Sequence, residues 1–285
     1  MNCTRRELLA LAALPATMHA ANPDLSGLRI GVTDWNLRKT GSLEAVSLAR
    51  QLGFEGVEVS LGRKVTDNKL PLDNAEIQRQ YLEAAAAHKV RLAGTCLDVL
   101  HVNYLKNDKL GAKWVADGIP ITRKLNARVM LLPFFGKGAL QTQTEKDYVG
   151  DVLRELAPQA EKADVILGLE NTISAEDNVR IVDRARSKAV LVYYDVGNST
   201  AAGFDVLKEI PWLGKDRICQ FHLKDNPNYL GEGKIDFPGV VKAIAGLGGW
   251  KGFANLETVA PSKSVEDDMR RNLKYLRGLM EAVRG

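Results

Sequence analysis

The chain has 285 residues, 45% of them hydrophobic, which allows one large domain or two small ones. Its 39 Lys and Arg against 35 Asp and Glu leave a formal charge of +4, too weak to argue for nucleic acid as a partner. Three cysteines without a CxxC spacing argue against a zinc knuckle or a disulfide framework, so Cys96 and Cys219 read as small buried apolar residues.

Residues 1–21 stand apart from the fold. Thr4-Arg5-Arg6-Glu7-Leu8-Leu9 followed by Ala10–Leu14 is a charged segment and then a short apolar one, the pattern of an export signal. The arginine pair resembles a twin-arginine signal, although Ala10 stands where a basic residue is often found; Ala20 or Ala21 offers a cleavage edge. A first helix of the domain is the alternative, because the apolar run is too short to span a membrane. The expectation is a periplasmic or secreted protein whose mature domain covers residues 22–285.

Leu28–Thr33 reads as the first strand, with Asp34 and Trp35 at its end. A helix follows to Leu52, with Ser42 as its cap, Glu44 in its first turn and Gly53 beyond its end. Gly56–Ser60 is the second strand, and alternation places Glu58 on one face with Gly56 and Ser60. An acid there needs a partner or solvent, so a site role and a buried structural ion pair both stay open. The long polar segment 62–74 is a candidate lid. Ala75–Lys89 is helical, Val90–Leu97 is the third strand, and Asp98 and His101 enter a loop where His101 is either a plain loop residue or a ligand. Gly111–Leu125 reads as a helix with an irregularity at Pro120, and Ala127–Leu132 as the fourth strand. Pro133–Gly138 then forms either a substrate wall or a plain turn. Further helices are predicted at Glu145–Lys162, Ala175–Ser187, Ala201–Ile210, Pro238–Ala245 and Val265–Arg284, giving eight strands and eight helices with no interdomain linker.

The second half carries the chemistry. Val165–Asn171, Val190–Asn198 and Gly252–Thr258 are apolar runs that close on an acid, as strands buried on both faces do. Ile218–Asp225 instead splits by alternation, with Phe221 and Leu223 on one face and Gln220, His222 and Lys224 on the other. In a single-domain (βα)8 TIM barrel the strand ends meet at one mouth, which would gather Glu170, Asp195, His222 and Glu257. Three carboxylates and an imidazole would repel and protonate unless a cation sat between them. One oxygen-rich divalent site follows, suited to Mn²⁺, Co²⁺ or Mg²⁺, with Zn²⁺ possible.

At these residues the chain resembles the xylose isomerase-like TIM-barrel superfamily, over about residues 28–283. Gly168-Leu-Glu170-Asn171, Asp195-Val-Gly-Asn198, His222-Leu-Lys-Asp225, Gly231-Glu-Gly-Lys-Ile-Asp-Phe237 and Leu256-Glu257-Thr258 carry the likeness, with the turn Gly53-Phe-Glu-Gly-Val-Glu58 beside them. The resemblance implies that Glu170, Asp195, His222 and Glu257 hold one divalent metal, and that Glu170 and Glu257 move protons on opposite faces of a sugar. It places Glu176 where ketose 3-epimerases carry a glutamate behind the metal ligands. Trp35, Glu58, His101, Asn198, Lys224 and Glu232 are the remaining candidates for contact with substrate. Asn198 replaces a histidine of those epimerases, and Asn228 lies near the position of an arginine, so a free ketohexose is not implied. The superfamily also contains endonuclease IV, whose zinc site needs many histidines; this chain has four.

The implied partner is a small carbohydrate, with no nucleic acid and no membrane for the mature form; a homo-oligomer stays open. The implied reaction is proton abstraction next to a carbonyl through an enediolate, ending in epimerisation or isomerisation. Loss of a β-leaving group would instead make a lyase or dehydratase on keto-sugars or keto-glycosides. A non-catalytic, metal-containing sugar-binding barrel needs only the ligands, and proton exchange from deuterated water separates it from an enzyme.

Overall fold

The computed structural model describes residues 24–284, so the export segment expected over residues 1–21 lies outside the described residues. Eight strands follow one another around a closed parallel barrel: β1 (Leu28–Thr33), β2 (Gly56–Ser60), β3 (Arg91–Cys96), β4 (Val129–Pro133), β5 (Ile166–Glu170), β6 (Val190–Asp195), β7 (Ile218–Leu223) and β8 (Gly252–Leu256). β8 pairs with β1 and leaves no open edge. Outside them lie α1 (Glu44–Leu52), α2 (Ala75–His88), α3 (Lys109–Lys124), α4 (Gln143–Ala163), α5 (Ala175–Ala185), α6 (Val196–Ala201), α7 (Val206–Leu213), α8 (Phe237–Ala245) and α9 (Val265–Arg284). This is a single-domain (βα)8 barrel.

Three local differences from the sequence reading have physical causes. The helix expected over Ala201–Ile210 is two helices, α6 and α7. Gly203 turns the chain left-handed at φ 90°, and Asp205 starts α7 by accepting from the Leu207 amide at 3.1 Å. Helix α3 runs through Pro120 without interruption. The carbonyl that Pro120 cannot bond, that of Ala116, accepts instead from Gln159 Nε2 of α4 at 2.8 Å. His101 ends a short 3-10 turn, Asp98–His101, rather than lying in an open loop.

The strands are apolar on both faces because both are covered. One large core lies between strands and helices, and a second, smaller one of Cys96, Val129, Leu131, Tyr193 and Cys219 fills the barrel. Small residues make room for large inward ones. A Cβ on Gly31 would collide with the Asn255 amide, and one on Gly168 would meet Cys219 Sγ at 2.9 Å. Inward positions on adjacent strands therefore interdigitate, and the last inward residue of each strand is delivered to the upper mouth.

Candidate metal centre

Glu170 and Asp195 are the last residues of β5 and β6, His222 lies one residue before the end of β7, and Glu257 follows β8. One ligand atom from each falls within 4.8 Å of the others. His222 Nδ1 is 2.8 Å from Glu170 Oε1, 3.5 Å from Glu257 Oε2 and 3.8 Å from Asp195 Oδ2. Asp195 Oδ2 is buried and accepts no aligned hydrogen bond, although Lys224 Nζ lies 2.6 Å away. The same ammonium contacts Glu257. Three carboxylates and a ring nitrogen gathered this closely, with one lysine as their only other cation among the described residues, fit a divalent cation by donor chemistry. Gly197 is needed here because a Cβ there would collide with the Lys224 stem.

Electrostatics divide the acids. Burial pushes Asp195 up to about 8, with Lys224 pulling the other way and Glu170 adding to the rise. Burial would raise Glu257 as well, but His222 and Lys224 outweigh it and hold it at about 2. Burial disfavours the His222 imidazolium, yet Glu170, Glu257 and Glu58 overcome this and raise it well above the usual histidine range. A cation entering this site would therefore compete with protons on Asp195 and His222.

Beneath the four ligands lies a network that alternation alone does not reveal. His222 Nε2 is 2.8 Å from Glu58 Oε2, and both residues are fully buried. The same oxygen accepts from Tyr193 OH at 2.8 Å and Asn255 Nδ2 at 3.2 Å. Asn255 Nδ2 also donates to Tyr193 OH at 2.7 Å, and Gln220 Nε2 donates to the Ala93 carbonyl at 2.6 Å. Glu58 Oε2 is the partner of Nε2, which leaves Nδ1 as the nitrogen facing the acids and the one that a metal would take in exchange for its proton. Glu58 was expected against substrate; it lies below His222 and outside the cavity, so its place is to orient that ring. The signal that could have found its partners is their inward position on β6, β7 and β8.

The mouth opens into a cavity of about 730 Å³. Trp35, His101, Glu170, Asn198, Lys224 and Glu257 all line it, together with Asp98 and Phe135. Trp35 Nε1 donates to Glu257 Oε1 at 2.9 Å, with its ring edge-on to His222. Asn198 Nδ2 donates to Glu170 Oε1 at 3.4 Å, and its backbone amide donates to Asp195 Oδ1 at 2.8 Å. His101 stacks on Phe135, and burial together with Arg63 lowers its pKa from the ordinary value. Segment 62–74 contributes Gly62, Arg63, Lys64, Pro71 and Leu72 to the rim.

Two expected substrate contacts stand elsewhere. Glu176 is exposed in the first turn of α5, where a carboxylate suits the helix N-terminus, and it does not line the cavity. Glu232 is exposed and pairs with Arg271 of α9. Asp225 causes this: buried, it accepts amides of Gly231 at 3.1 Å, Gly233 at 2.8 Å and Lys234 at 3.1 Å, clamping the loop with the Glu232 side chain outward.

The family described as xylose isomerase-like TIM barrel matches residues 46–279. The chain belongs to this family. No curated protein matches it in sequence. Among solved structures, an L-ribulose 3-epimerase superposes with a TM-score of 0.74 at 16% identity, covering 90% of this chain and 96% of that one. The IOLI protein with a bound zinc atom gives 0.71 at 17% identity, over 90% and 99% of the two chains. A 3-keto-D-glucoside 4-epimerase from E. coli gives 0.70 at 16% identity, over 88% and 99%. At such identities these likenesses concern the fold. Among the described residues no helix is long and apolar enough to cross a membrane.

Proposed function

We propose that this family member is a divalent-metal-dependent sugar isomerase or epimerase, with Glu170, Asp195, His222 and Glu257 as the metal ligands and Glu170 and Glu257 also as acid and base. The observation that carries this is the delivery of two glutamates, from β5 and from the end of β8, to either side of the β6 and β7 ligands and to one cavity. A bound ion would supply Lewis-acid polarisation of a carbonyl and its neighbouring hydroxyl. Mn²⁺, Co²⁺, Mg²⁺ and Zn²⁺ all suit three oxygens and one nitrogen.

The chain's own groups then divide the work. Glu257, held ionised by His222 and Lys224, is the stronger candidate to take a proton next to the carbonyl at neutral pH. Trp35 fixes its other oxygen, and Asn198 steadies Glu170 for delivery of a proton to the opposite face. Lys224 offers a cation where negative charge develops on substrate oxygen. Return of the proton to the same carbon from the other face gives epimerisation; transfer to the neighbour gives isomerisation. Incubation with a ketose in deuterated water tests the reading: deuterium should enter the substrate only when metal is present. Binding without exchange for any ketose offered would leave a sugar-binding barrel.

A second reading, β-elimination on keto-glycosides, is favoured by the cavity, which is larger than a single hexose fills. The fold likeness to a 3-keto-D-glucoside 4-epimerase supports trying such substrates. We also infer export by residues 1–21, which Arg5→Lys with Arg6→Lys and cell fractionation would test. A cytoplasmic, unprocessed chain would return phosphorylated sugars to first place.

A further inference from the structure

The opposite end of the barrel has its own cavity, of about 960 Å³. Among the described residues four cations line it, Arg29 of β1, Arg91 at the start of β3, Arg128 just before β4 and Lys251 just before β8, and no Asp or Glu does. Arg29 is the unusual one. Strand alternation sets it on the inward face with Gly31, in the lowest layer of the barrel, beside Phe253 of β8. It is only half exposed and, among the described residues, has no side-chain hydrogen bond and no carboxylate within the 4.0 Å of an ion pair. Glu55 and Glu281 share a neighbouring cleft with it but do not reach it. Arg128 is neutralised by Asp164 at 2.7 Å, and Lys251 feels the Asp24 carboxylate from outside the cavity. The Lys251 stem is packed against Gly27, where a Cβ would meet Lys251 Cγ at 2.5 Å, which holds that side chain at the mouth. Leu82 of α2 and Phe253 add apolar wall beside the cations.

Like charges facing one another around a cavity destabilise the fold unless an anion joins them. Guanidinium forks match phosphate oxygens in pairs, and the volume suits a ligand of small-metabolite size. We propose that this lower mouth binds a phosphorylated small molecule of about mononucleotide size. Its phosphate lies among Arg29, Arg91 and Lys251, and its ring or apolar body against Leu82 and Phe253. The site is separate from the metal centre and does not rest on the sugar-isomerase reading.

Calorimetric titration with AMP as probe tests it, with adenosine and citrate as comparators. AMP should bind at one site, at least tenfold more tightly than either comparator, and should raise the melting temperature. Arg91→Gln with Lys251→Met, both exposed and so safe for folding, should weaken AMP at least tenfold and abolish the thermal shift. Added Mn²⁺ should leave AMP affinity unchanged. No AMP binding, adenosine or citrate binding as tight as AMP, or undiminished binding by the double variant would each overturn the proposal. So would AMP binding that strengthens with Mn²⁺, since that would put the phosphate at the upper mouth.

Discussion

The two mouths of this barrel are built from the same strands and carry opposite charge problems. At the upper mouth Glu170, Asp195 and Glu257 converge, and the chain answers them with His222 and Lys224 held in direct contact. At the lower mouth Arg29, Arg91 and Lys251 line one cavity, and no carboxylate of the described residues lines it with them. The barrel geometry is indifferent to which sign is used: each strand delivers one inward side chain to each end. What differs is how far the charges are preorganised. The upper set rests on a buried layer of Glu58, Tyr193, Gln220 and Asn255 that fixes the His222 ring, while Trp35 and Asn198 hold the carboxylates. In the lower set only the Lys251 stem is held, against Gly27, so the set is suited to gripping an anion and not to directing chemistry.

The upper mouth breaks most sharply if its two glutamates lose their charge. Glu170→Gln and Glu257→Gln should each slow solvent deuterium exchange into substrate by about two to four orders of magnitude. Metal content must be measured in the same samples, because both side chains are ligands. Exchange that survives in both variants with metal retained would move the base, with Lys224 the next candidate.

The supporting layer gives the next largest effect. Glu58→Gln replaces an acceptor with an amide that can donate to His222 Nε2, which favours the tautomer with its proton on Nδ1. Metal affinity, read by competition with a chromophoric chelator, should fall by about 10- to 100-fold. An unchanged affinity would reduce the layer to packing. Glu58→Asp, which keeps the acceptor, should recover part of the loss.

Metal affinity should also depend on pH in a defined direction. In the metal-free site Asp195 keeps its proton up to about pH 8, and the His222 imidazolium persists well above the ordinary range. A divalent ion takes only the deprotonated forms, so affinity rises as pH climbs from 6 towards 8, by about tenfold per unit for each linked proton. Asp195 stops contributing once pH passes about 8. Glu257, held at about 2, contributes nothing across this range. Titrations in two buffers of different ionisation heat would count the released protons; a flat profile would mean that the acids are already ionised.

Legibility in the sequence follows the same division. Glu170, Asp195 and Glu257 could be read because each ends an apolar run, and burial on both strand faces makes such endings conspicuous. His222 was legible from alternation within Ile218–Asp225. The barrel itself followed from the number of strand-and-helix units. The layer under the ligands was legible only at Gln220, which alternation sets on the face of His222; Tyr193 and Asn255 look like ordinary strand residues until closure places three different strands side by side. Glu232 was misplaced for a related reason, since only the folded loop shows Asp225 collecting its amides. The lower mouth escaped entirely, because Arg91 and Lys251 are 160 residues apart in sequence and come to one cavity with Arg29 only when the barrel closes β8 on β1.

The smallest effect belongs to the lower mouth and decides whether its cations are truly uncompensated. Among the described residues, Arg91→Gln removes one charge from a set with no lining acid, on an exposed side chain that donates no hydrogen bond. If Arg29, Arg91 and Lys251 repel one another, the variant should melt slightly higher than the parent at low ionic strength, by roughly a degree. The gain should shrink as salt is raised, because a Debye length of about 8 Å at 0.15 M already screens charges set around an open mouth. Thermal melts at two salt concentrations in an anion-poor buffer make the measurement. A melting temperature that falls, or a rise that salt leaves untouched, would show that Arg91 is compensated or that the change acts through packing. The contrast between a balanced upper mouth and an unbalanced lower one would then be lost.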